Sequence, residues 1–112
     1  MNNELHHLNK AKKMSEELSS QFHHAMVGLH TEWSQLSPPY HAKLFLRMVN
    51  DHGGKETADR LLASAKPSEG LAKLFLRGKA GLSVESLVLD DKWSSLFTTD
   101  QLSVAKRRLG RT

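Results

Sequence analysis

The sequence predicts an all-α fold in which a long N-terminal helix is followed by a compact bundle of about five short helices. Apolar residues recur at intervals of three and four along most of the chain, which is typical of amphipathic helices. No five-residue stretch between turn residues alternates apolar and polar side chains, as a half-buried strand would. A chain of 112 residues is one domain by length, so we expect a single domain over residues 1–112.

The first helix is predicted over residues 3–33, because no proline interrupts that stretch and its apolar positions keep a helical spacing. About thirty residues would extend ~45 Å, which is more than the rest of a small domain can cover. Residues 1–35 are therefore predicted to act as an arm for self-association or partner binding, with residues 36–109 as the bundle and 110–112 as a tail. The expected contact face of the arm comprises Leu18, Phe22, Ala25, Leu29 and Trp33.

The hexapeptide AKLFLR occurs twice, at residues 42–47 and again at residues 72–77. Each copy is followed by glycines and a second apolar run, which predicts two helical hairpins in tandem. The leucine and the phenylalanine in the middle of each copy fall on one helical face and are predicted to point inward: Leu44, Phe45, Leu74 and Phe75. A true duplication and a chance recurrence of helix-forming residues are both open.

The later helices are predicted from their boundary residues. Ser37 is expected to cap a second helix over residues 39–51 that has proline in its first turn and a glycine stop at residue 53 or 54. A third helix is expected over residues 55–65. A fourth is capped by Ser68 and ends at Gly78, and a fifth begins at residue 83. Thr98, with Gln101 three residues later, forms a capping box for a sixth helix that ends near residue 109.

Catalytic and cofactor-binding patterns are absent from the sequence. The chain has no cysteine, which removes disulfides, thiolate zinc sites and cysteine nucleophiles. None of its seven histidines lies three or four residues from another, the spacing that converges metal ligands on a helix. We therefore expect no metal, no cofactor and no enzymatic activity.

The net charge of +4 is concentrated in basic stripes. Such stripes favour acidic protein surfaces or nucleic acid as partners, and the alternative is a solvated surface that only keeps the protein soluble. Apolar runs do not exceed three residues, so no membrane association is expected. The predicted basic contact surface comprises Lys43, Arg47, Lys73, Arg77, Lys79, Lys106, Arg107 and Arg108.

Residues 70–109 carry a pattern that reads GLxxLxxxG, then LSVExLVLxxKWxxLFT, then a basic helical segment. This pattern resembles a recurrent helical segment of uncharacterised bacterial and mobile-element proteins, and residues 45–62 fit its upstream part loosely. The resemblance implies a stable helical unit in a cytoplasmic bacterial or phage setting. No activity is attached to that segment, so the resemblance transfers no catalytic or binding residue.

The leading hypothesis is a small non-enzymatic binding or regulatory protein that acts by protein–protein contact. An inhibitor carried by a mobile element, or a subunit of host nucleic-acid machinery, would fit it, and a homodimer is also open. The alternative is direct, largely non-specific nucleic-acid binding. Residues 71–89 have the order of a helix-turn-helix, but the second helix carries Glu85 and two aspartates, which suit neither phosphates nor base edges.

Overall fold

The computed structural model describes the backbone of residues 2–111 and the side chains of residues 12–111. Within these residues the chain is all-helical and contains no strand, which confirms the predicted fold class: a long first helix followed by shorter ones. Two 3₁₀ turns, Ala80–Leu82 and Ser94–Leu96, connect the later helices. The α-helices are α1 (Asn2–Ser34), α2 (Lys43–His52), α3 (Gly54–Ala63), α4 (Glu69–Leu76), α5 (Val84–Leu89) and α6 (Thr99–Arg108).

The second half of α1 forms one wall of the core. Its buried side chains, Phe22, Met26, Leu29 and Trp33, are three or four residues apart and therefore share one face, which packs against α2 and α3. By contrast, the side chains of residues 12–17 are all exposed. Among the described side chains of α1, those that contribute to the bundle therefore begin at about residue 18.

An aromatic cluster joins α1 to the turn before α6. The ring of Phe22 meets the rings of Trp93 and Phe97 edge to face, with centroids 5.7 and 5.4 Å apart. This edge-to-face geometry places the positive edge of one ring against the negative face of the other. Trp93 and Phe97 on the turn before α6 therefore pack against α1, and Leu96 is half-buried against the same core.

Three of the predicted helix starts carry side-chain caps. Ser68, Ser83 and Thr98 each accept a hydrogen bond from a backbone N–H of the first turn of α4, α5 and α6. At α6 the capping box is complete, because Gln101 Oε1 also accepts from the Thr98 N–H at 2.9 Å. Local sequence rules suffice to predict these caps, because a cap requires only suitable residues three positions apart.

The predicted start of α2 is wrong. Ser37 does not cap a helix, and α2 begins at Lys43, after Ala42 and without a side-chain cap. The backbone N–H of Tyr40 donates to the carbonyl of Trp33 at 2.9 Å, and the Tyr40 ring packs on the Trp33 indole with centroids 5.6 Å apart. The loop after α1 therefore folds back over Trp33 before the next helix can start.

The two AKLFLR copies occupy different environments, so the inward orientation predicted for Leu44 and Phe75 is wrong. In α2, Phe45 lines up with buried Val49 and Leu44 is left 71% exposed. In α4, the buried pair is Leu71 and Leu74, and Phe75 is left 48% exposed. Each helix is short and buries one narrow face, and its neighbours decide which residues of the copy lie on that face.

Candidate functional site

An apolar cavity of about 290 Å³ lies between the first turns of α2 and α4. This volume is close to the lower limit for small-ligand pockets and suits one large side chain. Leu44 stands at its edge with its side chain mostly exposed. The apolar lining includes Trp33, Phe45, Met48, Leu61, Leu71 and Val84.

Charged side chains surround the cavity entrance. Lys43 comes from α2, Lys73 and Glu69 come from α4, and His41 comes from the loop before α2. The Lys73 ammonium lies 5.2 Å from the centroid of the Tyr40 ring, within cation–π range. With two lysines and one glutamate at the entrance, the fixed charge there is positive.

Tyr40 joins the loop to α4 and to the cavity. The guanidinium of Arg77 lies 5.9 Å from the ring centroid, and Arg77 also donates to the carbonyls of Pro38 and Lys73 at 3.4 and 3.1 Å. Burial raises the pKa of Tyr40 above its ordinary value, the Glu69 carboxylate raises it further, and the Arg77 guanidinium opposes both. The phenol is thus held neutral beside the cavity.

A buried ion pair lies beneath the cavity. Arg108 Nη1 and Glu85 Oε2 are 3.4 Å apart, with side chains 7% and 4% exposed, and Glu85 also lines the cavity. The same guanidinium donates to the carbonyls of Leu61 and Ser64 at 2.9 and 2.6 Å. Arg108 therefore ties α6 to the end of α3 and to α5.

The structure divides the predicted basic contact surface. Lys73 and Arg77 lie over the Tyr40 ring and Lys43 lines the same cavity as Lys73. The Arg108 side chain is buried in its ion pair with Glu85 and offers no contact surface. No residue of α6 lines the cavity. Arg47, Lys79, Lys106 and Arg107 are exposed.

The predicted partner face of α1 is packed within its own chain. Phe22, Leu29 and Trp33 are buried in the core, and Leu18 and Ala25 are half-buried against it. This corrects the expectation that the long helix presents these side chains to a second copy or partner. The second half of α1 contacts α2 and α3, which cover its apolar face.

Sequence reasoning missed Glu85 and Tyr40 as parts of a site. A signal for Glu85 was available, since it lies three residues before Val88 and therefore on the apolar face of α5. An acidic residue on a buried face requires a partner, but nothing in the spacing identified Arg108. Tyr40 was missed because it lies in a loop that was predicted to be part of the second helix.

A second, polar cleft lies where α1 meets the start of α3. It is lined by His23, Lys55, Glu56 and Asp59, and His23 Nδ1 already accepts the Gly54 N–H at 2.9 Å. Within residues 12–111 no three histidine or carboxylate side chains are grouped so as to hold a metal ion. In that same part of the chain, no helix has both the length and the apolar character that crossing a bilayer requires.

Comparison with protein-family models, with curated proteins and with solved structures gave no match to this chain.

Proposed function

We propose that the protein binds a partner protein, and that the cavity between α2 and α4 receives an apolar side chain from an acidic segment of that partner. The observation that carries the proposal is Leu44, which stands 71% exposed at the edge of an open apolar cavity. Burying a leucine side chain is worth about 1.5–3 kcal/mol, and the free protein forgoes most of that gain. Covering Leu44 and filling the cavity would recover it.

The charges at the entrance support an acidic partner segment. Lys43 and Lys73 come from separate helices and line the same entrance. Carboxylates on either side of the inserted side chain would pair with these ammonium groups, which would increase the association rate and fix the orientation of the segment. A basic segment would meet repulsion there.

The size of the cavity favours an anchor residue rather than a whole small-molecule ligand. Most binding energy in protein interfaces comes from a few side chains in desolvated pockets, and about 290 Å³ accommodates one such side chain. In this proposal the protein acts by contact alone. The resemblance of residues 70–109 to bacterial and mobile-element proteins favours a regulator or subunit of nucleic-acid machinery as the setting.

The proposal is tested by affinity capture from the native host with variants that introduce glutamate at the cavity entrance and away from it. Leu44→Glu and the double variant Lys43→Glu/Lys73→Glu alter the cavity entrance, and Lys106→Glu on α6 makes the same kind of change away from it. We expect both entrance variants to lose at least about tenfold of a captured protein and the α6 variant to retain it. A partner that all variants retain equally would overturn the proposal.

The same variants test the nucleic-acid alternative. Lys106 and Arg107 are exposed in the last turn of α6, so phosphate binding would depend on them rather than on Leu44. It would also fall steeply between low and physiological salt, because bound counterions are released. DNA or RNA retention that is lost in Lys106→Glu and insensitive to Leu44→Glu would replace the partner-protein proposal with the nucleic-acid one.

A further inference from the structure

We infer that Glu85 makes the cavity selective for an anchor side chain that combines an aromatic ring with an N–H or O–H donor, namely tryptophan or tyrosine. The inference rests on the proposed function and specifies the chemistry of the inserted residue. Its basis is Glu85, a buried residue that lines the cavity and whose carboxylate the protein leaves incompletely paired.

The Glu85 carboxylate has one polar partner among the described residues, the Arg108 guanidinium at 3.4 Å. That contact is long for a charge-assisted hydrogen bond, which is usually 2.7–2.9 Å, and it involves only Oε2. In the same part of the chain, Thr57 Oγ1 is the one fully buried side-chain polar atom without a partner. Glu85 Oε1 makes no hydrogen bond there and is not fully buried, so it keeps contact with solvent. Glu85 is also one of the residues that line the cavity.

Filling the cavity would remove that solvent from the carboxylate. An anchor made only of carbon, such as leucine or phenylalanine, would strip the water and return no hydrogen bond, which is costly for a buried charged group. An indole or phenol covers the same apolar lining and carries one donor at its edge. Its N–H or O–H would replace the lost water at Oε1.

A cationic anchor fits the cavity less well than an aromatic donor. A lysine or arginine would have to pass Lys43 and Lys73 at the entrance and would then lie near Arg108, which already faces Glu85. Three like charges would oppose it, whereas a neutral donor meets none of that repulsion.

Two fragments of nearly the same shape separate these effects. Indole carries the donor, and benzothiophene replaces its N–H with sulfur. Binding to the full chain is followed by ¹⁵N–¹H NMR. Trp33 provides a reporter, because it lines the cavity and its Nε1–H donates to the carbonyl of Leu82 at 2.9 Å. We expect a Kd for indole on the order of 1 mM, as befits so small a ligand.

The expected result is that benzothiophene binds at least about tenfold more weakly than indole, as loss of a hydrogen bond to a charged group implies. Glu85→Gln should narrow that difference, provided that its Trp33 signal retains the native position. The wild-type comparison stands by itself if this variant does not fold. The chemical-shift changes caused by indole should be confined to residues around the cavity.

Equal affinity for the two fragments, or tighter binding of benzothiophene, would overturn the role of Glu85 and leave the partner-protein proposal intact. The proposed function fails separately, through the capture experiment, if the entrance variants retain the partner. Absence of indole binding at 10 mM, roughly ten times the expected Kd, would overturn the inference as well.

Discussion

At the scale of single residues, Gly54 decides how closely α1 and α3 approach. A Cβ at position 54 would lie 2.6 Å from the Cα of His23, and a backbone atom cannot move aside as a flexible side chain can. We expect Gly54→Ala to destabilise the protein by about 2 kcal/mol, in the range of overpacking substitutions. The free energy of unfolding in urea, measured with the tryptophan fluorescence, gives the test.

The matched control for Gly54→Ala is Gly28→Ala. Gly28 lies inside α1, and a Cβ there would meet nothing within 4 Å. Alanine should therefore raise the free energy of unfolding by about 0.5–1 kcal/mol through helix propensity. If both substitutions change stability in the same direction, the close approach of α1 and α3 at Gly54 is not what limits that position.

Tyr40 provides a second prediction at the residue scale, because it is the only tyrosine in the chain. The pKa of Tyr40 is raised from its ordinary value of 10.0, chiefly by burial and then by Glu69. A raised pKa means that folding favours the neutral phenol. Its contribution to stability is thus present below pH 10 and is lost as pH rises through the folded-state pKa.

The absorbance of the ionised phenol near 295 nm measures this pKa directly. We expect a midpoint above 10 in the folded protein. Glu69→Gln should lower the midpoint and Arg77→Gln should raise it, since these two neighbours act in opposite directions. A midpoint at or below 10 would mean that Tyr40 is not covered by the loop as described.

At the scale of elements, the Arg108 side chain holds three helices together. It pairs with Glu85 of α5 and donates to carbonyls at the end of α3, Leu61 and Ser64. Removing one partner of a buried ion pair leaves the other charge unpaired, so we expect Arg108→Ala to cost about 3–5 kcal/mol. The neighbouring Arg107→Ala should change stability by less than about 0.5 kcal/mol, because Arg107 is exposed.

Thermal unfolding followed by circular dichroism distinguishes the two variants. A loss of stability in Arg108→Ala no larger than in Arg107→Ala would contradict the view that α6 is fastened through this one guanidinium.

The start of a helix was predictable where the residues that determine it lie close together in the sequence. The capping box of Thr98 and Gln101 and the cap of Ser68 follow from spacings of three residues. The start of α2 was not predictable in this way, because Tyr40 returns to Trp33 across a loop. The Arg108–Glu85 pair spans twenty-three positions, and no local pattern reports which distant charges meet.

The faces of the helices were predictable only in part. Helical spacing correctly placed Leu74 inward but could not rank the apolar candidates on a helix that has more of them than it can bury. Leu44 and Phe75 were chosen wrongly for this reason. The candidate site was missed for the same reason, since it consists of apolar surface that the bundle leaves uncovered.

At the scale of the whole molecule, one core connects the two tryptophans. Trp33 ends α1 and Trp93 lies on the turn before α6, yet both belong to the same cluster of buried side chains. A core shared in this way should unfold as a unit. The variants Trp33→Phe and Trp93→Phe each keep one tryptophan. In each variant, we expect the fluorescence of that tryptophan and the far-ultraviolet circular dichroism to give the same urea midpoint.

One outcome would contradict the prediction of a single unfolding unit. If the Trp93 signal changed at a different denaturant concentration from the helical signal in Trp33→Phe, the α5–α6 region would form a separately unfolding unit.

The inequality of the two AKLFLR copies also bears on how the chain finds its native arrangement. The two hexapeptides offer the same six side chains to the rest of the chain, so nothing within either copy determines whether it takes the place of α2 or that of α4. The choice must be made by what surrounds them: Val49 and Gly53 after the first copy, Ser68 and Leu71 before the second. In this protein, folding to a single arrangement therefore depends on flanking residues that assign each of two identical segments to its own position.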